Sequence, residues 1–294
     1  MATIDGITTT NSGTGWHPDT TYYPASEFAP TALIMVATDV AGDVDGDANT
    51  CRVPFVRDAG EIGTGATPKR ELEALDDEDP GLAEVELRTV KLGRIATISE
   101  EQFRQEQTAV QLATSFSRDL VRRADNALLT GVNETVNGKD VARLAGLRDL
   151  PGVTEAAAPV VGNLDALVDL LAALESAGST PSHILLDPQA WATLRKMKTA
   201  TDHNSTLLPS GTTDTVPQLL GLPVLRSQFV TPGAGLVIDR SEVVSAVGPI
   251  RISQSEHAAF ANDGVVLKAT WRVGWGVPRP QRLGRFTVGT AKSK

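Results

Sequence analysis

SEEQFRQEQTAVQLATSFSRDLVRRADNALLTG, residues Ser99 to Gly131, reads as a helix with both ends marked. Ser99 followed by Gln102 forms a capping box, in which the Ser hydroxyl and the Gln amide each satisfy an orphan backbone N–H. Glu100 and Glu101 fill the first turn, where the helix dipole favours negative charge. Phe103, Val110, Ala113, Phe116, Leu120, Ala124 and Leu128 recur at helical spacing along one stripe. Gln105, Arg118, Arg122 and Asp125 lie mostly off it. No proline or glycine interrupts the run, and Gly131 stands where a left-handed C-cap belongs. The pattern predicts one unbroken helix, about 30 residues at 1.5 Å each, or a rod of about 45 Å. A rod of that length needs a long partner surface.

The flanks supply candidates for that surface. AEVELRTVKLGRIATIS (83–99) alternates like a strand and passes straight into the cap. In GVVLKATWRVGWGV (264–277), Val265, Leu267, Ala269, Trp271, Val273, Trp275 and Val277 share one face, and Lys268, Thr270 and Arg272 share the other. One face is therefore packed, and the other is wet or against a partner. This strand is expected to pack on the Ser99 helix. Trp271 and Trp275 alternate with basic residues in a way that superficially suits base stacking, but both share the apolar face, which favours core packing.

CRVPFVR (51–57) is a short strand, and its Pro54 suits an edge. It can pair with 83–97 as a two-stranded ribbon carrying DAGEIGTGATPKRELEALDDEDPG at its tip. Such a ribbon is marginal alone, so it must rest on a neighbour in the same or another subunit. Long loops without structure of their own usually have a purpose. Residues 1–50 have little periodicity beyond the apolar patch Leu33–Val36 and read as an extended arm that lies across something else. After the helix, Asn163–Gly178 forms a second helix, with Asn163 as its cap and Leu164, Leu167, Val168, Leu171 and Leu174 as its buried face. HILL (183–186) is a strand. Asp187-Pro188 then opens a third helix with a Trp191, Leu194 and Met197 stripe. A polar loop (200–217) and short strands in LLGLPVLRS, GLVIDRS and EVVSAVG complete a compact mixed domain.

Composition excludes several functions. The chain has 294 residues, 41% hydrophobic and 21% charged, which describes a soluble globular protein of one or two domains. No apolar run approaches the roughly 18 residues that span a bilayer, and no signal peptide is recognised. Cys51 is the only cysteine, so no intrachain disulfide exists, and a buried structural thiol is expected. A net charge of -9 argues against a dedicated nucleic-acid binder. His17, His183, His203 and His257 share no metal spacing, and no G-x-S-x-G elbow occurs. DVDGDAN fails as a calcium loop because position twelve, counted from Asp43, is Pro54. GEIGTGATPKR lacks the Lys-Ser/Thr of a phosphate loop. No catalytic residue, metal or cofactor is expected. What remains is a charge asymmetry. Glu71, Glu73, Asp76, Asp77, Glu78 and Asp79 crowd the loop, and Arg279, Arg282 and Arg285 crowd the last segment. Opposite patches of this kind steer docking and fix register between chains.

Taken in order, these segments resemble the major capsid protein of tailed bacteriophages, an α+β chain of the HK97-like capsid fold. The resemblance runs from about residue 20 to the end. It implies an N-terminal arm (1–50), an E-loop hairpin (51–98), a peripheral domain built on a spine helix (99–145), an axial domain (146–248) and closing peripheral strands (249–294). LLGLPVLRS resembles the family's "lGyPV" strand. It further implies a homo-oligomer of pentamers and hexamers in an icosahedral virion shell assembled in the host cytoplasm. That shell encloses double-stranded DNA through weak non-specific contact, with a separate scaffolding protein, a portal and sometimes a decoration protein. Some members join a loop lysine to a neighbour's asparagine. Lys69 and Asn262 occupy comparable stretches, but no glutamate follows Asn262 at a suitable distance to act as base. The alternatives are an encapsulin-type bacterial compartment, which shares the fold, and a soluble α/β enzyme.

Overall fold

The structure, a computed structural model, describes residues 20–44, 48–56, 81–105, 108–136, 139–198 and 217–289. Two sheets organise it. The larger centres on β14 (Gly264–Gly276). The long β4 (Leu82–Ser99) pairs antiparallel along one edge, in register from Gly264↔Ser99 to Gly274↔Thr89. Along the opposite edge lie β13 (Ile250–Ala259) and then β12 (Val244–Val247). Val265, Leu267, Ala269, Trp271, Val273 and Trp275 are all buried, as their alternation predicts. Trp271 donates its indole N–H to Gly248 O at 3.0 Å, and Trp275 to Ala145 O at 2.8 Å, so neither ring is available for base stacking.

The spine helix packs on that apolar face, but it is not one rod. The predicted run divides into α3 (Glu100–Phe103) and α4 (Thr108–Thr130). Ser99 caps α3 by accepting from Gln102 N. The first turn is tied to the neighbouring hairpin by Glu100 N–H to Asp263 O, 3.0 Å. The stripe offers no large apolar residue between Phe103 and Val110, so nothing apolar holds helical register at Arg104 and Gln105. There the chain uses tighter turns, such as Gln105 N–H to Gln102 O at 3.2 Å and Thr108 N–H to Gln105 O at 3.0 Å. From Phe116 onward the stripe behaves as expected: Phe116, Leu120, Ala124 and Leu128 share one core with the β14 face. Arg94 of β4 fastens this region, donating to Ser115 and lying 5.1 Å over the Phe116 ring. Gly131 ends α4 with φ +79°, its N–H donating to Ala127 O at 2.8 Å.

Residues 20–43, read as an extended arm, are built into the subunit. β1 (Thr20–Tyr23) pairs with β13, and β2 (Asp39–Asp43) lies parallel to β12. Between them the short turns α1 (Ala25–Phe28) and α2 (Leu33–Val36) bury Ala25, Leu33 and Ile34 in the spine-helix core. The apolar patch at 33–36 is long enough to anchor the segment on its own subunit. Among the described residues β3 (Thr50–Val56) pairs only with β4, so Pro54 sits on an edge as expected. β5 (Val132–Val136) and β6 (Lys139–Leu144) form a separate hairpin after the spine helix.

The smaller sheet has the order β7-β15-β11-β8-β10-β9. Its members are β7 (Thr154–Glu155), β8 (His183–Leu186), β9 (Gln218–Leu219), β10 (Leu222–Arg226), β11 (Ala234–Ile238) and β15 (Gly284–Thr287). LLGLPVLRS is thus a hairpin, turning at Leu220 and Gly221, which both have positive φ. The chain also crosses between sheets on either side of residue 248: β12 belongs to the larger sheet and β15 to the smaller. Helix α5 (Asp165–Ser176) buries Leu167, Leu170 and Leu174 and leaves Val168 48% exposed. Apolar residues occur almost all round this helix, so spacing alone chose the wrong neighbour of Leu167. Asn163 does not cap it: its amide meets the Asp165 carboxylate instead. Helix α6 (Pro188–Arg195) follows prediction, with Asp187 accepting from Gln189 N and Ala190 N and with Trp191, Leu194 and Met197 buried.

Candidate assembly surface

The β3–β4 ribbon projects from a small base of its own, where Val53 and Leu87 pack on Val244 and Ala246. Its register runs from Thr50↔Arg88 to Val56↔Leu82. Toward the outer end this support stops and Leu82 is 75% exposed. The Arg52–Glu84 pair there, 3.6 Å apart and exposed, adds little. The tip, with Lys69, Glu71, Glu73, Asp76, Asp77, Glu78 and Asp79, lies outside the described residues. Cys51, expected to be buried, is only half-buried at the ribbon base, its Sγ 3.8 Å from Asp43 O. An edge strand covers one side of a thiol and leaves the other open.

Arg279, Arg282 and Arg285, on the basic side of the asymmetry, lie within the described residues. Arg279 and Arg282 both donate to Glu242 Oε1, at 3.0 and 2.6 Å, and Glu242 is 6% exposed. Arg282 also donates to Ala177 O, which closes the end of α5. Arg285 donates to Glu155 at 3.1 Å and to Leu150 O at 3.0 Å. Two carboxylates, those of Glu242 and Glu155, therefore already meet the three guanidiniums. Sequence reading missed Glu242, which lies 37 and 40 residues from its partners in a stretch that carries no motif. Asn262 is exposed in the short turn joining β13 to β14, next to Phe260, which is 83% exposed.

The arm segment is clasped to the spine helix at two points. Ser117 donates to Phe28 O and Leu33 N–H donates to Asp125 Oδ1, each at 2.7 Å. Burial pushes the Asp125 carboxyl up to about 6, against the opposing pull of the Leu33 N–H. Asp125 lies off the apolar stripe, and it is the seating of residues 25–37 beside it that buries the carboxylate. His183 is held below the ordinary histidine range by burial first and by the Arg240 charge second. Among the described residues no group of His, Cys, Asp or Glu could hold a metal ion, and no helix is long and apolar enough to cross a membrane.

The model of the phage capsid family matches residues 36–286. No curated protein matches the chain. A solved chain from Gordonia phage Cozz superposes with a TM-score of 0.62 at 18% identity, covering 88% of this chain and 87% of that one. The capsid of an empty GTA particle gives 0.61 at 19%, covering 88% and 90%. A chain from Microbacterium phage Oxtober96 gives 0.61 at 14%, covering 97% and 100%. These likenesses carry the HK97-like fold. The family match across both sheets and the spine helix carries more: the chain belongs to the phage capsid family.

Proposed function

We propose that this major capsid protein builds an icosahedral shell of pentamers and hexamers by lending each subunit's ribbon tip and N-terminal residues to its neighbours. The observation that carries the reading is the ribbon, whose outer end leaves its own core and exposes Leu82. A two-stranded ribbon is marginal alone, so a neighbouring surface must support it. In this reading residues 1–50 are the arm, of which 20–43 stay seated on their own subunit, and 51–98 are the E-loop; 99–145 and 249–294 make the peripheral domain and 146–248 the axial domain, except that β12 joins the peripheral sheet and β15 the axial one. The carboxylates of residues 71–79 dock on a neighbour near Arg279, Arg282 and Arg285. Guanidiniums already met by Glu242 and Glu155 make this a contact that sets register more than affinity. A Lys69–Asn262 isopeptide bond, in which the lysine amine replaces the Asn262 amide nitrogen and ammonia leaves, would add a covalent tie, visible as a ladder of subunit multimers on a denaturing gel. Assembly takes place in the host cytoplasm with a separate scaffold, a portal and optional decoration proteins, and the shell holds double-stranded DNA. Family membership disfavours the encapsulin and soluble-enzyme readings, and no catalytic step is assigned. The test is electron microscopy of particles from the expressed chain, supplied with scaffold if needed, with nuclease treatment of particles from infected cells. Shells with nuclease-protected DNA support the reading. Protein cargo in place of DNA would return it to the encapsulin alternative.

A further inference from the structure

A cleft of about 450 Å³ opens where the spine helix, the arm and the end of β10 meet. Arg118 and Arg122 reach it from α4, and Arg226 reaches it from β10. Ser227 and Gln228 add a hydroxyl and an amide donor to its wall, and the Ser117 hydroxyl there is committed to Phe28 O. Arg118, Arg122 and Asp125 follow the i, i+4, i+7 spacing that puts residues on one helix face. Among the described residues these three guanidiniums have neither hydrogen bond nor ion pair, unlike Arg94, Arg123, Arg279, Arg282 and Arg285. The carboxylate lining the cleft is Asp125, and its Oδ1 is taken by the Leu33 N–H. Three cations less one carboxylate leave a local charge of at least +2 on a chain whose net charge is -9.

We propose that this cleft binds the phosphodiester backbone of double-stranded DNA without reading its bases. Arginine forks match phosphate oxygens bidentately, and serine and glutamine donors supply the usual supplementary phosphate contacts. The cleft is a concavity shared by three segments rather than one helix or strand offered to a groove. The inference rests on the DNA-enclosing shell proposed above and gives the DNA contact a place in the fold.

The test is fluorescence anisotropy of a labelled mixed-sequence duplex with the full-length, unassembled chain across a salt series. Three phosphate contacts predict a log–log slope of about -2.7, so affinity falls about 40-fold when salt rises fourfold. R118Q/R122Q/R226Q should abolish the slope, and each single change should reduce it by about 1. R118K/R122K/R226K keeps the charge and should keep most of the slope, which separates lost contacts from lost folding. An unchanged slope in the glutamine variant overturns the proposal. So does a chain that ignores the duplex and instead captures a synthetic peptide of residues 70–80 in an arginine-dependent way, since the cleft would then be a socket for a second copy. Shell formation, read separately by sedimentation, tests the parent reading: shells without duplex binding refute the cleft alone.

Discussion

At the scale of single residues, Glu242 and Asp125 mark two kinds of buried carboxylate. Glu242 is closed over by two guanidiniums, and removing one member of such a set leaves charge buried without compensation. Glu242→Ala should therefore destabilise the subunit by about 3–5 kcal/mol in denaturant unfolding. Arg285→Ala, whose Glu155 partner is largely exposed, should cost only about 1 kcal/mol. Equal losses would mean that the Glu242 cluster is solvated. Asp125 behaves differently, because burial favours its neutral form. Its folded-state value of about 6 lies above the ordinary 3.8, so the folded chain binds more protons between those values and loses stability as pH rises through them. Asp125→Asn keeps an acceptor for the Leu33 N–H and carries no charge. The variant should gain on the parent by up to about 3 kcal/mol between pH 4 and 7. A difference that stays flat with pH would show an exposed carboxylate and an unlatched arm.

At the scale of elements, the parts with a strong local signal were legible and the parts decided by tertiary contact were not. The Ser99 cap, the Asp187-Pro188 start, the Gly131 stop and the β14 alternation all follow from rules acting within a few residues. The end of the first turn at Arg104 was hidden because no proline or glycine marks it, and the polar run there is compatible with a helix until tertiary ties fix that turn. Residues 20–43 looked unstructured because their strands are completed by partners more than 200 positions away. The candidate site was half legible. Its charges could be counted from the sequence, but the Glu242 partnership and the Arg118–Arg122–Arg226 cleft exist only once distant segments meet. Phe116→Ala and Leu120→Ala each empty the core shared by α4 and β14 and should cost about 3 kcal/mol. Val168→Ala, on the exposed side of α5, should change stability by less than about 0.5 kcal/mol. Thermal or denaturant melts of the unassembled subunit read all three, and a silent Phe116→Ala would remove the spine helix from the core.

At the scale of the whole molecule, the subunit combines two well-packed sheets with one ribbon that its own core does not finish. Reversing Asp76, Asp77 and Asp79 to Lys should slow or block assembly while the melting temperature stays close to the parent's, and the defect should shrink as salt shortens the Debye length. Normal assembly of that variant at low salt would discard the electrostatic contact and leave the shell itself standing. A compensating reversal of Arg279 and Arg282 is a poor rescue, because it would place carboxylates against the buried Glu242. Self-association is the most direct consequence of a ribbon that needs a neighbour, and analytical ultracentrifugation of the full-length chain over a range of concentrations, with and without its scaffold, measures it. The account predicts discrete capsomer and shell boundaries that grow with concentration. A single monomer boundary under every condition, from a chain that melts cooperatively, would contradict it.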